Sequence, residues 1–393
     1  MIQNAIAAAS IVGLVSFGIT YLLMPPVRNY AIHKGWLDRP DGKRKIHTQS
    51  TPRVGGVAIG FGLSGGMLVM ILLGAFSTGI NMVVIIAMFV GMGVIILTGV
   101  MDDLQQIRAR YKMLGQAMAT LPLLFCNDLL VPVGHLLGGS TPAMMLAYPL
   151  VFGWALFIMN AVNLLDGLDG LAGGISLLSF IFLAAIVGIQ GSVFLFTVAV
   201  CGALVAFLRY NIYRAKVFLG DSGSLLLGYL LAVLALVTLS SHPAANTFMS
   251  ILVILGVPIL DTWMTIARRV VRKRDPFAPD CEHLHHRVLR RTFGHQFRAT
   301  IFFYVIGGLL GFVGLLIAQS GFWDSILLTA VSGTMGLILL WELDYFDRSS
   351  YLLASHNVSI IPGKEVPLRH RLNSTSPKQQ YHRGPIGHFP PKR

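Results

Sequence analysis

The sequence is short of charge. Only 12% of its 393 residues are Asp, Glu, Lys or Arg, against about 25% in a soluble domain. With 54% apolar residue types, the chain cannot cover itself with a polar surface. That excludes an ordinary soluble enzyme, a disordered chain and a nucleic-acid-binding domain, despite a formal net charge of +13. Cysteine is scarce as well: Cys126, Cys201 and Cys281 are odd in number and far apart, so no disulfide framework follows. Lys and Arg are missing altogether from 1–24, 54–100, 113–208, 222–267 and 299–341.

What fills those gaps is apolar sequence. Eleven runs, near 2–24, 54–76, 80–100, 113–131, 142–162, 171–189, 192–208, 222–241, 247–267, 300–318 and 323–343, are long enough to cross the bilayer as helices. Backbone groups in lipid must be satisfied within the segment, so such runs are helical. The expected fold is an all-α polytopic membrane protein of about eleven transmembrane helices.

The basic residues set its orientation. Segments 25–53, 101–112, 209–221, 268–298 and 342–393 carry 7, 3, 3, 9 and 8 Lys or Arg, which is every one of the 30 in the chain. In an eleven-helix chain all five segments lie on one side, so the N-terminus is expected outside and the C-terminus in the cytoplasm. The first run lacks a basic leader and is too long for a cleaved signal peptide. Residues 1–345 are read as a catalytic membrane domain. Its cytoplasmic loops lie near 25–53, 101–112, 163–170, 209–221 and 268–298, with the active-site cleft on that face. Residues 346–393 are read as a mobile cytoplasmic tail.

The 17 acidic residues carry the functional information. Asp102 and Asp103 end the third run, Asp166 and Asp169 sit in NLLDGLDGLAGG, Asp221 sits in FLGDSGS, and Asp261 lies inside the ninth run. Carboxylates at an apolar boundary are costly and mark function by default. The bland alternative is that each caps a helix or pairs with a nearby cation. Adjacent carboxylates repel unless a cation or proton relieves them, and Mg2+ takes few carboxylates while leaving positions for phosphate oxygens. Glycines beside Asp166, Asp169 and Asp221 let a ligand approach the backbone and the following helix N-termini. A further cluster is His283, His285, His286 and Arg287. Zinc would want a second Cys/His pair that is absent, Arg287 favours an anion, and a solvated loop on lipid headgroups is the plain reading.

Together the Asp-Asp pair, NxxDGxDGLAGG, FxGDxGS and HLHHR, in this order over residues 25–345, resemble the polyprenyl-phosphate N-acetylhexosamine-1-phosphate transferases. The phospho-MurNAc-pentapeptide translocases form their sister branch. HLHHR is closer to the GlcNAc-type branch, since the translocases usually carry three consecutive His. The resemblance implies transfer of a sugar-1-phosphate, GlcNAc-1-phosphate foremost, from a UDP-N-acetylhexosamine to undecaprenyl phosphate with release of UMP. It also implies a bacterial cytoplasmic membrane, Mg2+ with Mn2+ able to substitute, and membrane lipid as a partner; the sequence leaves a homodimer open.

By the same resemblance Asp221 is the main Mg2+ ligand, with Asn163 and Asp103 beside it. Asp102 or Asp103 is a base or a positioner of the lipid phosphate. Asp166, Asp169 and Gly170 lie near the nucleotide, Asn211 and Phe218 near uridine, and the HLHHR side chains near the diphosphate or amino sugar. Arg108, Arg110 and Lys112 are expected to meet the carrier phosphate. A translocase donor, UDP-MurNAc-pentapeptide, is the alternative reading. A polytopic transporter is the remaining one; it would carry broken helices and polar groups near the midplane.

Overall fold

The computed structural model describes residues 2–40, 49–74, 81–188, 191–271 and 283–343. The tail beyond 345 and Cys281 lie outside the described residues. In chain order the helices are α1 (Ile2–Lys34), α2 (Gly55–Leu72), α3 (Met82–Gln105), α4 (Ala109–Thr120), α5 (Asn127–Leu136), α6 (Thr141–Leu165), α7 (Leu171–Val187) and α8 (Gly191–Asn211). They continue as α9 (Gly220–Ser241), α10 (Ala245–Ile254), α11 (Gly256–Val271), α12 (Leu284–Arg291), α13 (Gln296–Gln319) and α14 (Phe322–Glu342). The protein is a helical, multi-pass membrane protein. Among the described residues eight helices are long and apolar enough to cross a membrane, or ten if each of two bent helix pairs counts as one span, and α7 is a shorter apolar helix. Each apolar run read from the sequence coincides with one of these.

Three differences from the sequence reading have physical causes. The fourth run is not one helix: α4 passes through a 3-10 turn at Leu121–Phe125 and α5 leaves at 84°. Pro122 in that turn cannot donate to the helical ladder. The ninth run breaks between α10 and α11 at 77°, where Gly256 and Pro258 open α11. Broken helices, which a transporter would carry, are therefore present here too. Lastly, the fold has a small non-helical element. β1 (Leu37–Asp38) pairs antiparallel with β2 (Thr51–Pro52), and Arg53 bridges to Phe218.

α9 is the centre of the bundle. Its sequence after Ser224 is apolar on every side, the pattern of a helix enclosed by others, and its membrane window is wholly buried. Helices in lipid gain little from burying one more leucine, so close packing of small residues has to bring them together. At Gly56 on α2 and Gly99 on α3 an added Cβ would run into the Ser222 backbone at the start of α9. These two approaches deliver the ends of α2 and α3 to the first turn of α9. The segments expected on one side of the membrane also join there. Phe218 N donates to Pro52 O at 2.8 Å and Gly55 N to Phe218 O at 3.0 Å. Thr300 Oγ1 donates to Asp169 O at 3.0 Å.

Candidate active site

Asp102 and Asp103 occupy the last turn of α3, where the helix dipole disfavours a carboxylate. Two opposite influences hold them there. Asp103 is taken up by the start of α9: its Oδ1 accepts from Asp221 N at 2.8 Å and its Oδ2 from Ser222 N at 3.0 Å. Those N–H groups are among the orphan donors of the helix N-terminus, so Asp103 serves as a capping side chain from another helix. Asp102 turns the other way, its Oδ2 3.0 Å from Lys112 Nζ.

Lys112 is the hub. Gln106 in a left-handed conformation (φ 49°) ends α3, and α4 returns beside it with Lys112 in its first turn. The ammonium lies 2.7 Å from Asp221 Oδ2 and donates to Asn163 Oδ1 at 3.1 Å as well as meeting Asp102. Asn163, near the end of α6, donates from Nδ2 to Asp221 Oδ1 at 2.7 Å and to Ser224 Oγ at 2.8 Å. Three oxygens from α3, α6 and α9 thus converge on one cation. One turn deeper, Gln116 and Asn160 exchange hydrogen bonds at 2.7 and 3.3 Å between α4 and α6. This polar pair lies on apolar helices and fixes their register.

The DGLDG loop joins this centre to its surroundings. Asp169 Oδ2 accepts from Ala215 N at 3.0 Å. Gly170 N donates to Asn211 Oδ1 at 2.9 Å, and Asn211 Nδ2 donates to Val217 O at 2.9 Å. Tyr304 from α13 donates to Gly170 O at 2.7 Å. Asn211 and Asp169 therefore brace backbone. Asp166 is half-buried, and its side chain makes no hydrogen bond among the described residues. Burial, with Asp221 nearby, pushes its carboxyl up to about 7.

The HLHHR loop begins α12. Asp261 is buried on α11; its Oδ1 accepts from Leu284 N at 2.7 Å and its Oδ2 lies 3.4 Å from His283 Nδ1. Thr265, one turn along, lies 3.3 Å from the same nitrogen. His283 and His285 stack in parallel at 5.6 Å. The His285 ring lies directly over Gly167, where a Cβ would overlap it. Burial, and then the neighbouring His286, lower its pKa to about 3, so it is neutral at pH 7. Arg287 is buried and donates from its guanidinium to Leu343 O at 3.5 Å.

The structure therefore brings together Asp102, Asp103, Lys112, Asn163 and Asp221, with Asp166 and the His283–His285 pair alongside. It separates Lys112 from Arg108 and Arg110. Arg108 is exposed at the α4 N-cap, and Arg110 is exposed over Tyr111, 4.9 Å from the ring centre. Phe218 contributes backbone pairing to β2. Arg53 escaped the sequence reading. It meets Asp38 at 2.9 Å and adds positive potential beside Asp221 and Asp103; the signal was its place at the end of a basic loop, directly before the glycines that touch α9.

The donor set suits a hard cation. Among the described residues no three His, Cys, Asp or Glu side chains gather at a metal-ligand spacing. Two carboxylates and an amide oxygen nevertheless surround the Lys112 ammonium, which stands where a cation is held. One or two carboxylates are what Mg2+ takes when substrate phosphates complete its shell.

The described helices form a polytopic bundle with an acidic cluster gathered at one end. Residues 85–239 match the family model described as Glycosyl transferase family 4. The chain is 34% identical over 319 residues to the "Probable undecaprenyl-phosphate N-acetylglucosaminyl 1-phosphate transferase" of Bacillus subtilis (strain 168), covering 80% of this chain and 86% of the relative. It is 32% identical to the "Decaprenyl-phosphate N-acetylglucosaminephosphotransferase" of Mycolicibacterium smegmatis, over 77% and 80% of the two chains. It is 30% identical to the "Phospho-N-acetylmuramoyl-pentapeptide-transferase" of Desulforudis audaxviator, over 77% and 97%. The chain belongs to glycosyl transferase family 4.

Proposed function

We propose that the protein transfers an N-acetylhexosamine-1-phosphate, GlcNAc-1-phosphate foremost, from a UDP-sugar to undecaprenyl phosphate, releasing UMP. The product, undecaprenyl-diphosphate-HexNAc, is the first lipid-linked intermediate of a bacterial cell-envelope polysaccharide. The names of the Bacillus and Mycolicibacterium relatives support this reading. The observation that carries it is the convergence of Asp102, Asp221 and Asn163 on one cation position. The proposed topology is eleven crossings in the cytoplasmic membrane, with the N-terminus outside and this end of the bundle facing the cytoplasm.

Asp221, Asn163 and Asp102 would hold Mg2+, with Asp103 fixing the α9 backbone that carries Asp221. When bound, Mg2+ would neutralise the diphosphate and draw charge from the reacting phosphorus. Lys112 would then exchange carboxylate for phosphate as its partner, the one basic residue of 101–112 aimed into the centre. Asp166 and the backbone of 167–170 would line the nucleotide site, and His283, His285 and Arg287 its diphosphate side. A phosphate monoester has a second pKa of about 6, so lipid phosphate is already an anionic nucleophile. Catalysis then consists of alignment and charge neutralisation, with direct attack on the donor. Labelled phospho-enzyme trapped without lipid would refute direct attack.

The test is UMP release by purified protein given UDP-GlcNAc, undecaprenyl phosphate and Mg2+. Release that requires lipid and disappears in Asp221→Ala is the expected result. A donor panel including UDP-MurNAc-pentapeptide fixes the sugar. No release with any UDP-amino sugar overturns the proposal.

A further inference from the structure

The α8–α9 connection carries a feature that sugar transfer does not use. Arg209, Tyr210, Ile212, Tyr213, Arg214 and Lys216 line a cavity of about 410 Å3. Arg28, from the last turns of α1, closes on it by donating from Nε to Lys216 O at 3.2 Å. Four cations thus border one hollow. Among the described residues none of Arg28, Arg209, Arg214 and Lys216 pairs with a carboxylate. Like charges gathered without an acidic partner favour an anionic ligand. Tyr210 rests on Tyr21 of α1, ring centres 5.6 Å apart, which is the aromatic and basic combination found at lipid headgroup level.

Beyond this cavity the α1–α8 pair continues into lipid-facing surface. Leu22 on α1 and Val205 on α8 are exposed. Further along the same pair, Ile6, Ala9, Ser10, Gly13, Phe194 and Val198 line a second, apolar hollow of about 510 Å3. At 1.5 Å per helical residue, Val198 lies about 16 Å along α8 from Arg209. On α1 the residues of that hollow lie about 22 Å or more from Arg28, so it sits beyond the midplane of a roughly 30 Å hydrocarbon core, past the depth of one leaflet.

We propose that this basic cavity binds an anionic phospholipid. Arg28, Arg209, Arg214 and Lys216 hold its phosphate, and its acyl chains lie on the exposed apolar surface of α1 and α8 at Leu22 and Val205. The site is separate from the transfer centre, and the inference does not depend on which donor or acceptor is used. It is coupled to that centre through the loop that floors it: Ala215 N is held by Asp169 and Val217 O by Asn211. An occupied cavity would hold the 212–217 segment, and through it the DGLDG loop, in place.

The test is native mass spectrometry and thermal unfolding of the full chain in detergent, titrated with phosphatidylglycerol. Phosphatidylcholine, inorganic phosphate and undecaprenyl phosphate serve as separate arms. Phosphatidylglycerol is expected to bind and raise the unfolding temperature, while phosphatidylcholine and inorganic phosphate at equal concentration do not. Each cation removed near a headgroup should weaken binding about fivefold. The Arg214→Gln/Lys216→Gln variant should therefore lose about tenfold or more, and Lys34→Gln/Arg298→Gln, elsewhere on exposed surface, less than threefold. Binding should persist in Asp221→Ala. Equal binding of phosphatidylcholine, equal losses in the two double variants, saturation by phosphate alone, or displacement by equimolar undecaprenyl phosphate would each overturn the proposal.

Discussion

Replacing Asp103 with Asn tests whether two adjacent carboxylates have divided their labour. The two oxygens of Asp103 accept from Asp221 N and Ser222 N at 2.8 and 3.0 Å. Asparagine offers one oxygen and one NH2 group. Whichever way it turns, one of those backbone donors faces another donor. A hydrogen bond to a charged acceptor contributes about 1.5–3 kcal/mol, and a buried donor left unsatisfied costs about 1–3 kcal/mol. A loss of about 2–3 kcal/mol follows, somewhat above the ~1 kcal/mol typical of a lost helix cap. For a chain of this size 1 kcal/mol moves the unfolding temperature by about 1 °C, so a fall of about 2–4 °C is expected. Asp102→Asn should behave differently. Lys112 keeps Asp221 and Asn163, and repulsion between carboxylates is relieved, so stability should change by about 1 kcal/mol or less. Transfer activity should instead collapse, because the cation position has lost one of its two charges. Thermal unfolding in detergent and UMP release, measured on both variants, decide the matter. An unchanged unfolding temperature for Asp103→Asn, or a larger fall for Asp102→Asn, would refute the assignment.

Three further outcomes follow from the geometry. Gly167→Ala places a methyl group in the His285 ring and should cost about 1–3 kcal/mol; adding His285→Ala should restore the unfolding temperature, and additive losses would count against the contact. Asp261→Asn keeps an oxygen for Leu284 N but no longer charges the side chain facing His283 Nδ1. Transfer should fall about tenfold or more, by analogy with carboxylates that orient metal-bound histidines; a wild-type rate would exclude the orienting role. His285 titrates near 3 in the folded chain against about 6.5 unfolded. Its folded pKa is depressed, so its contribution is complete above about 6.5 and declines as pH falls toward 3. Below pH 6.5 the slope should be about 1.4 kcal/mol per unit, and His285→Gln should flatten it; an equal slope in the variant would show that His285 does not set it.

The membrane architecture was legible because lipid imposes length and apolarity on each crossing, and the positions of Arg and Lys group its connections. What the apolar pattern could not carry was direction within a run. The bends at Leu121–Phe125 and Gly256 interrupt hydrophobic stretches whose composition hardly changes, and only Pro122, Gly256 and Pro258 record them. Glycine is also an uneven marker of helix contact. Gly65, Gly66, Gly91 and Gly307 do sit at helix contacts, as a packing role predicts, while Gly308 faces open space.

At the site, residue types were legible but their division of labour was not, because that depends on which helix end each one meets. Asp102 and Asp103 are indistinguishable in sequence, yet one faces Lys112 and the other the backbone of α9. The basic stretch Arg108, Arg110 and Lys112 shows the same thing with a rule that could have been applied. Residues two apart on an α-helix point about 200° from each other. Once α4 begins at Ala109, Arg110 and Lys112 cannot both face the carboxylates. Lys112 is the one a turn ahead of Gln116, the polar residue that marks the face of α4 turned toward α6. Helical phase alone therefore selects Lys112 for the centre and leaves Arg110 on the surface, and the three cations should not be expected to share one phosphate.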